Sequence, residues 1–170
     1  KIYRRFMLSQ SLTYGYNDEQ WWSIVENPRE RLAVAMELLS KRNEAITGRI
    51  VGHLMQDKIN RALPNGVPEG MISSLLDTAT KSDNAFLRQK FFEGIRALTK
   101  PGQAWIDPAS NTEEMRRLGV LALEDSESGD SAAQLIGHLR SPTAVRAILD
   151  YDDGGRKYDT LVLIQREAGN

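Results

Sequence analysis

Apolar residues recur every three or four positions along the first two thirds of the chain, then gather into short runs. The first pattern is that of amphipathic helices, each burying one stripe. It predicts a helix over residues 1–10 with Ile2, Phe6 and Met7 inward. A second is expected over 18–26, capped by Asn17. A third follows Asn27, with Pro28 in its first turn and Leu32, Ala35, Met36 and Leu39 as its stripe. The longest helix is expected over 44–63, where Ile46, Ile50 and Leu54 alternate with Val51, Met55 and Ile59. Gly48 and Gly52 lie inside it. Each costs about 1 kcal/mol relative to Ala, which predicts close packing against a neighbour. Helices over 68–80 and 83–99 follow. Ser82 or Asp83 is the expected cap of the second, and Lys100-Pro101-Gly102 its stop.

The pattern changes near residue 118, with apolar runs at 119–123, 144–151 and 160–164. They predict a buried strand over 118–124, after a short helix that ends at Arg117. A short helix over 131–139 comes next. Ser141-Pro142 would start a helix, and Ala144, Val145, Ile148 and Leu149 have helical spacing. The Asp-Gly-Gly turn and the β-branched run at 160–164 instead favour a hairpin of strands 142–151 and 160–164. The expected fold class is therefore α+β, predominantly α: a helical body of five or six helices followed by a small C-terminal β-α-β-β unit. The body covers 1–100, a connector with a short helix 101–117, and the α/β unit 118–170. The unit packs on the body, as one compact unit or two lobes. Trp105 and Ile106 are expected to pin the connector to the core.

The 170 residues suffice for one such domain. The hydrophobic fraction of 41% and charged fraction of 26% are ordinary for a folded chain. No apolar stretch approaches the roughly 18 residues of a membrane span. The chain starts at Lys1 without an initiator Met and without a signal-peptide pattern, which suggests a domain of something longer. Zero Cys excludes a thiol nucleophile and a thiolate metal site, and favours a soluble protein of a reducing, cytoplasmic compartment. The net charge of −1 hides an asymmetry. Residues 1–62 hold 10 Lys/Arg against 7 Asp/Glu, residues 63–110 hold 5 against 5, and residues 111–170 hold 7 against 11. A dedicated nucleic-acid binder usually carries a larger basic excess.

Four sets of residues are candidates for function. Asp150, Asp152, Asp153, Asp159 and Glu167 concentrate carboxylates around the expected hairpin, the ligand type that hard divalent cations need. Turn geometry alone also selects Asp and Gly there. His53 and His138 are too few for a zinc site without acidic help. Each is expected at the surface or capping a helix, and either becomes a general base if a carboxylate orients it. Arg4, Arg5, Arg29, Lys41, Arg42 and Arg49 make a basic front that, with nearby aromatic rings, could hold phosphates and stack bases. Interleaved Glu residues permit pairing within the helices instead. Trp21 and Trp22 point about 100° apart on a helix, so one is available to a partner, beside Tyr14 and Tyr16. The segment Trp22-Ser23-Ile24-Val25-Glu26 resembles the W-x-x-x-E signature of bacterial effectors that act as guanine-nucleotide exchange factors. The match is those two residues. Those effectors are all-helical, unlike the mixed tail expected here, and the chain is not assigned to them.

The leading expectation is a non-catalytic protein–protein interaction module from a larger protein or assembly. It would use Tyr14, Tyr16, Trp21 and Trp22, with no cofactor and no membrane. The alternative is a nucleic-acid-associated protein using the basic front, with metal-dependent chemistry at Asp150, Asp152, Asp159 and Glu167. An enzyme reading requires a cleft in which His53 or His138 meets a carboxylate.

Overall fold

The computed structural model describes residues 35, 44–56, 69–101, 112–152 and 155–170. Those residues form seven helices and no strand. They are α1 (Glu44–Gln56), α2 (Glu69–Lys81), α3 (Ala85–Leu98), α4 (Thr112–Glu124), α5 (Gly129–Leu139), α6 (Pro142–Asp150) and α7 (Lys157–Ala168). The expected helices at 1–10, 18–26 and after Asn27, and the connector with Trp105 and Ile106, lie outside the described residues, apart from the fully buried Ala35.

The expected β-α-β-β unit is replaced by four helices. The proposed strand at 118–124 is the second half of α4, which runs unbroken across the 117–118 boundary. Met115, Leu118, Gly119, Ala122 and Leu123 are buried on it, at helical spacing. The run of consecutive apolar residues has a simple cause. α4 packs on α2, α5 and α6 at once, so more than one face is covered. The proposed strand at 142–151 is α6. Ser141 is extended and its hydroxyl accepts the Ala144 N–H at 3.2 Å, while Pro142 sits in the first turn. That cap satisfies a donor the helix would otherwise leave open. The β-branched run at 160–164 lies in α7. Thr160 and Ile164, four apart, are buried, and Val162 between them faces outward. Tertiary packing here outweighs strand propensity. One further difference is local: α3 is capped by Asn84, whose side chain accepts from Leu87 N at 3.2 Å, rather than by Ser82 or Asp83.

Helix directions follow from the ties between them. Arg88 near the start of α3 meets Asp125 and Ser128 just before α5, and Thr99 after α3 meets His138 near the end of α5. α3 and α5 are therefore parallel. Arg156 before α7 reaches Asp130 in the first turn of α5, and Gly137 late in α5 abuts Ile164 and Glu167. α5 and α7 are parallel too. α4 and α6 are parallel by the same logic, through Gly119 against Ala144 and Glu124 with Tyr151. The hairpins α2–α3, α4–α5 and α6–α7 thus stack side by side. One layer holds α2, α4 and α6, the other α3, α5 and α7, and α1 packs chiefly on α3. This is the arrangement of α-solenoids, in which neighbouring hairpins cover each other's apolar faces.

The core lies between the layers. Leu75, Leu76, Phe91, Phe92, Ile95, Leu118, Leu135, Ile136 and Ile148 are fully buried there. Two glycines set the closest approaches. A Cβ at Gly119 would stand 2.7 Å from the Ala144 carbonyl oxygen, and one at Gly137 2.6 Å from that of Ile164. The expected close packing at Gly48 and Gly52 is looser. A Cβ at Gly48 would meet Leu87 at an ordinary 3.7 Å, and one at Gly52 would meet nothing within 4 Å. α5 ends at Arg140, held at φ 52°, whose N–H returns to Gly137 O. This left-handed residue lets the chain reverse at once into α6.

Candidate functional site

Among the described residues, two of the polar clusters that join the hairpins hold a group with a displaced pKa. The first is Arg88 with Asp125. Arg88 Nε donates to Asp125 Oδ2 at 2.9 Å, Nη2 donates to the same oxygen, and Nη1 donates to Ser82 O at 2.6 Å. The Ser128 hydroxyl also donates to Oδ2, and the Glu127 N–H donates to Oδ1 at 3.0 Å. The two charged side chains are 12% and 10% exposed. Burial alone would raise the Asp125 pKa. Hydrogen bonds from Ser128, Arg88 and the backbone N–H groups of Glu127 and Ser128 outweigh it and bring the carboxyl to about 2. A carboxylate so held does not exchange a proton near neutral pH.

The second cluster surrounds His138, which is 9% exposed. Its Nε2 lies 2.9 Å from Thr99 Oγ1 and 3.2 Å from Thr99 O. The Thr99 hydroxyl gives its own proton to Ile95 O at 2.7 Å. Both Thr99 oxygens therefore accept from the imidazole, which assigns the proton to Nε2 and the lone pair to Nδ1. Burial lowers the His138 pKa. The Thr99 carbonyl opposes this, Arg96 adds to it, and Glu167 opposes it. His138, Arg96, Glu93 and Glu167 line a groove of about 430 Å³. His138 thus shares a cleft with a carboxylate, as the enzyme reading requires. That carboxylate is paired with Arg96, and the imidazole proton is committed to the C-terminal cap of α3. The cluster fastens α3, α5 and α7 together, and His138 is a capping histidine in a buried position.

Asp153 lies outside the described residues, and the other acidic candidates do not converge. Asp150 ends α6, Asp152 lies in the following linker and Asp159 is in the first turn of α7, all exposed. Glu167 lies about 12 Å further along the α7 axis, in its ion pair with Arg96. Among the described residues no three His, Asp or Glu side chains are grouped to hold a metal ion. His53 and Arg49 are half-buried in α1. Tyr14, Tyr16, Trp21, Trp22, Arg4, Arg5, Arg29, Lys41 and Arg42 lie outside the described residues. The same holds for Glu26; the described tail is helical, so the contrast with those all-helical effectors no longer holds, and the two-residue likeness alone assigns the chain to no family. No described helix is long and apolar enough to cross a membrane.

The outer face of the α6–α7 hairpin carries a feature that the sequence reasoning missed. Tyr158 is 76% exposed, Leu149 56% and Val162 45%. On α7, Thr160 and Ile164 are buried, and Tyr158 and Val162 lie about 160° around the helix from them. Lys157 Nζ donates to Leu149 O at 3.0 Å and also to Tyr151 O, which ties the end of α6 to the start of α7. Leu149 and Tyr158 therefore sit at the same junction. Phe86, the other exposed large apolar residue described, is on α3, with the Lys90 ammonium 5.0 Å from its ring centre. The i, i+4 spacing of Tyr158 and Val162 was visible in the sequence. Placing 160–164 in a strand hid it. No protein-family model, curated protein or solved structure matches the chain.

Proposed function

We propose that the protein is a non-catalytic interaction module, a stack of helical hairpins that docks a partner on the outer face of α6–α7. One observation carries this reading: of the four large apolar side chains exposed among the described residues, three lie on that hairpin. This face is apolar, and a cluster of exposed apolar side chains marks a docking surface. The polar clusters support the same reading. Asp125 and His138, the two groups with displaced pKa among the described residues, spend their hydrogen bonds on holding hairpins in register, and structural networks displace pKa values as catalytic ones do.

A photo-crosslinking side chain placed at position 158 tests the reading, with position 86 as the reference. The expected result is an adduct of defined mass at 158, absent at 86 and lost with Leu149→Ser and Val162→Ser. Identical adducts at both positions, or none, would remove the proposal.

A further inference from the structure

The exposed line of α7 carries charges of both signs. Tyr158 and Asp159 precede Val162 on it, and Gln165 and Arg166 follow, all exposed. At 100° per residue, Asp159 and Arg166 lie about 60° and 40° from Val162 on the same flank of the helix. Tyr158 and Gln165 lie on the other flank, at about 40° and 60°. Neither Asp159 nor Arg166 forms an ion pair among the described residues. The ion pairs that do form at α7, Arg156 with Asp130 and Glu167 with Arg96, join it to α5 and α3. The α6 end of the face is mixed in the same way, with exposed Arg146 and Asp150 one turn apart beside Leu149. α7 is the last helix of its layer and packs chiefly on α5, so its outer side meets no further described helix. The face is therefore an apolar centre with a rim of both charges.

We infer that this face binds the same face of a second copy of the chain, the two α7 helices running antiparallel across a two-fold axis at Val162. In that arrangement a residue before Val162 meets one at a like distance after it, on its own flank. Asp159 of each copy meets Arg166 of the other, Val162 meets Val162, and Tyr158 lies against Gln165 of the second copy. Leu149, at the same junction as Tyr158, widens the apolar area that is covered. The inference rests on the docking reading above and names its partner. Three features argue for it. An isologous contact demands a surface complementary to itself, and this stripe sets an acid and a base at matched positions on one flank. A partner of one charge sign would pair with one of them and be repelled by the other. Antiparallel packing also sets the negative end of each helix dipole beside the positive end of the other.

Sedimentation equilibrium of the full chain over a range of concentrations provides the test. The expected mass rises from 19.1 kDa toward twice that value, and Val162→Ser keeps the chain monomeric. Asp159→Arg alone and Arg166→Asp alone each weaken the dimer roughly tenfold, because two attractions across the two-fold become two repulsions. An equimolar mixture of those two variants regains the parental affinity, since their heterodimer holds one native pair and one inverted pair. Circular dichroism of all three variants should match the parent, because every substituted side chain is exposed. A mixture that stays as weak as its components, or a dimer that ignores Val162→Ser, overturns the inference. A chain that is monomeric at every concentration overturns it too. The adduct at position 158 then decides the docking reading separately: an adduct with another protein leaves that reading standing, and no adduct removes both.

Discussion

Arg88 on α3 and Asp125 in the α4–α5 turn form a nearly buried ion pair that joins consecutive hairpins of the stack. Thirty-seven residues separate them in the chain, and no local pattern marks either one. Asp125→Ala leaves the Arg88 guanidinium buried without its partner, which should cost about 2–4 kcal/mol in urea unfolding. The folded pKa of about 2 lies below the ordinary 3.8. The stabilisation is therefore complete above the unfolded value and is lost as pH falls from about 4 toward 2. Acid unfolding of the parent should show that loss, and Asp125→Asn should flatten it.

His138 gives a second, separate pH response. Its pKa is lowered by burial from 6.5, so the folded imidazole resists protonation while the unfolded one does not. Stability from this residue is present above 6.5 and declines as pH falls below it. His138→Gln keeps an N–H donor for Thr99 and removes the titration. Its stability should be nearly constant over that range, where the parent's falls. Nitrogen chemical shifts of the parent should report a neutral ring protonated at Nε2.

Gly137 and Gly52 should respond to alanine in opposite directions. At Gly137 the new methyl would stand 2.6 Å from Ile164 O and 2.8 Å from Glu167 Cβ, so α5 and α7 must separate. The expected loss is about 1–3 kcal/mol. At Gly52 the methyl enters open space, and the gain in helix propensity should stabilise by about 0.5–1 kcal/mol. Paired thermal melts of the two variants check both signs at once.

Ser141 is the local reason that α6 starts where it does. Ser141→Ala should cost about 1 kcal/mol by loss of the hydroxyl that accepts Ala144 N–H. Ser141→Asp supplies another acceptor at a helix N-terminus and should retain most of the stability.

The helices over 69–81 and 85–98 were legible because each buries a single stripe, such as Phe91, Ile95 and Leu98 on α3. Their bounds fell within two or three residues of expectation. The C-terminal part was misread for the opposite reason. α4 is covered on several sides, so its apolar residues run together and the period disappears, whereas the helix expected over 131–139 is present as α5. Thr160, Val162 and Ile164 would line one face of a strand, yet on α7 two of them are buried and one faces water.

The same division holds for the site. The sequence by itself determined the helical character of much of the chain, the absence of thiol chemistry and the concentration of acids between residues 150 and 159. Local physics decides those matters: side-chain period, cap and turn preference, and composition. Which residues would meet was settled by tertiary structure alone. Arg88 with Asp125 and His138 with Thr99 come together only because parallel hairpins stack in register. That register depends on the close approach allowed by Gly119 and Gly137, where the informative atom is the one that is missing.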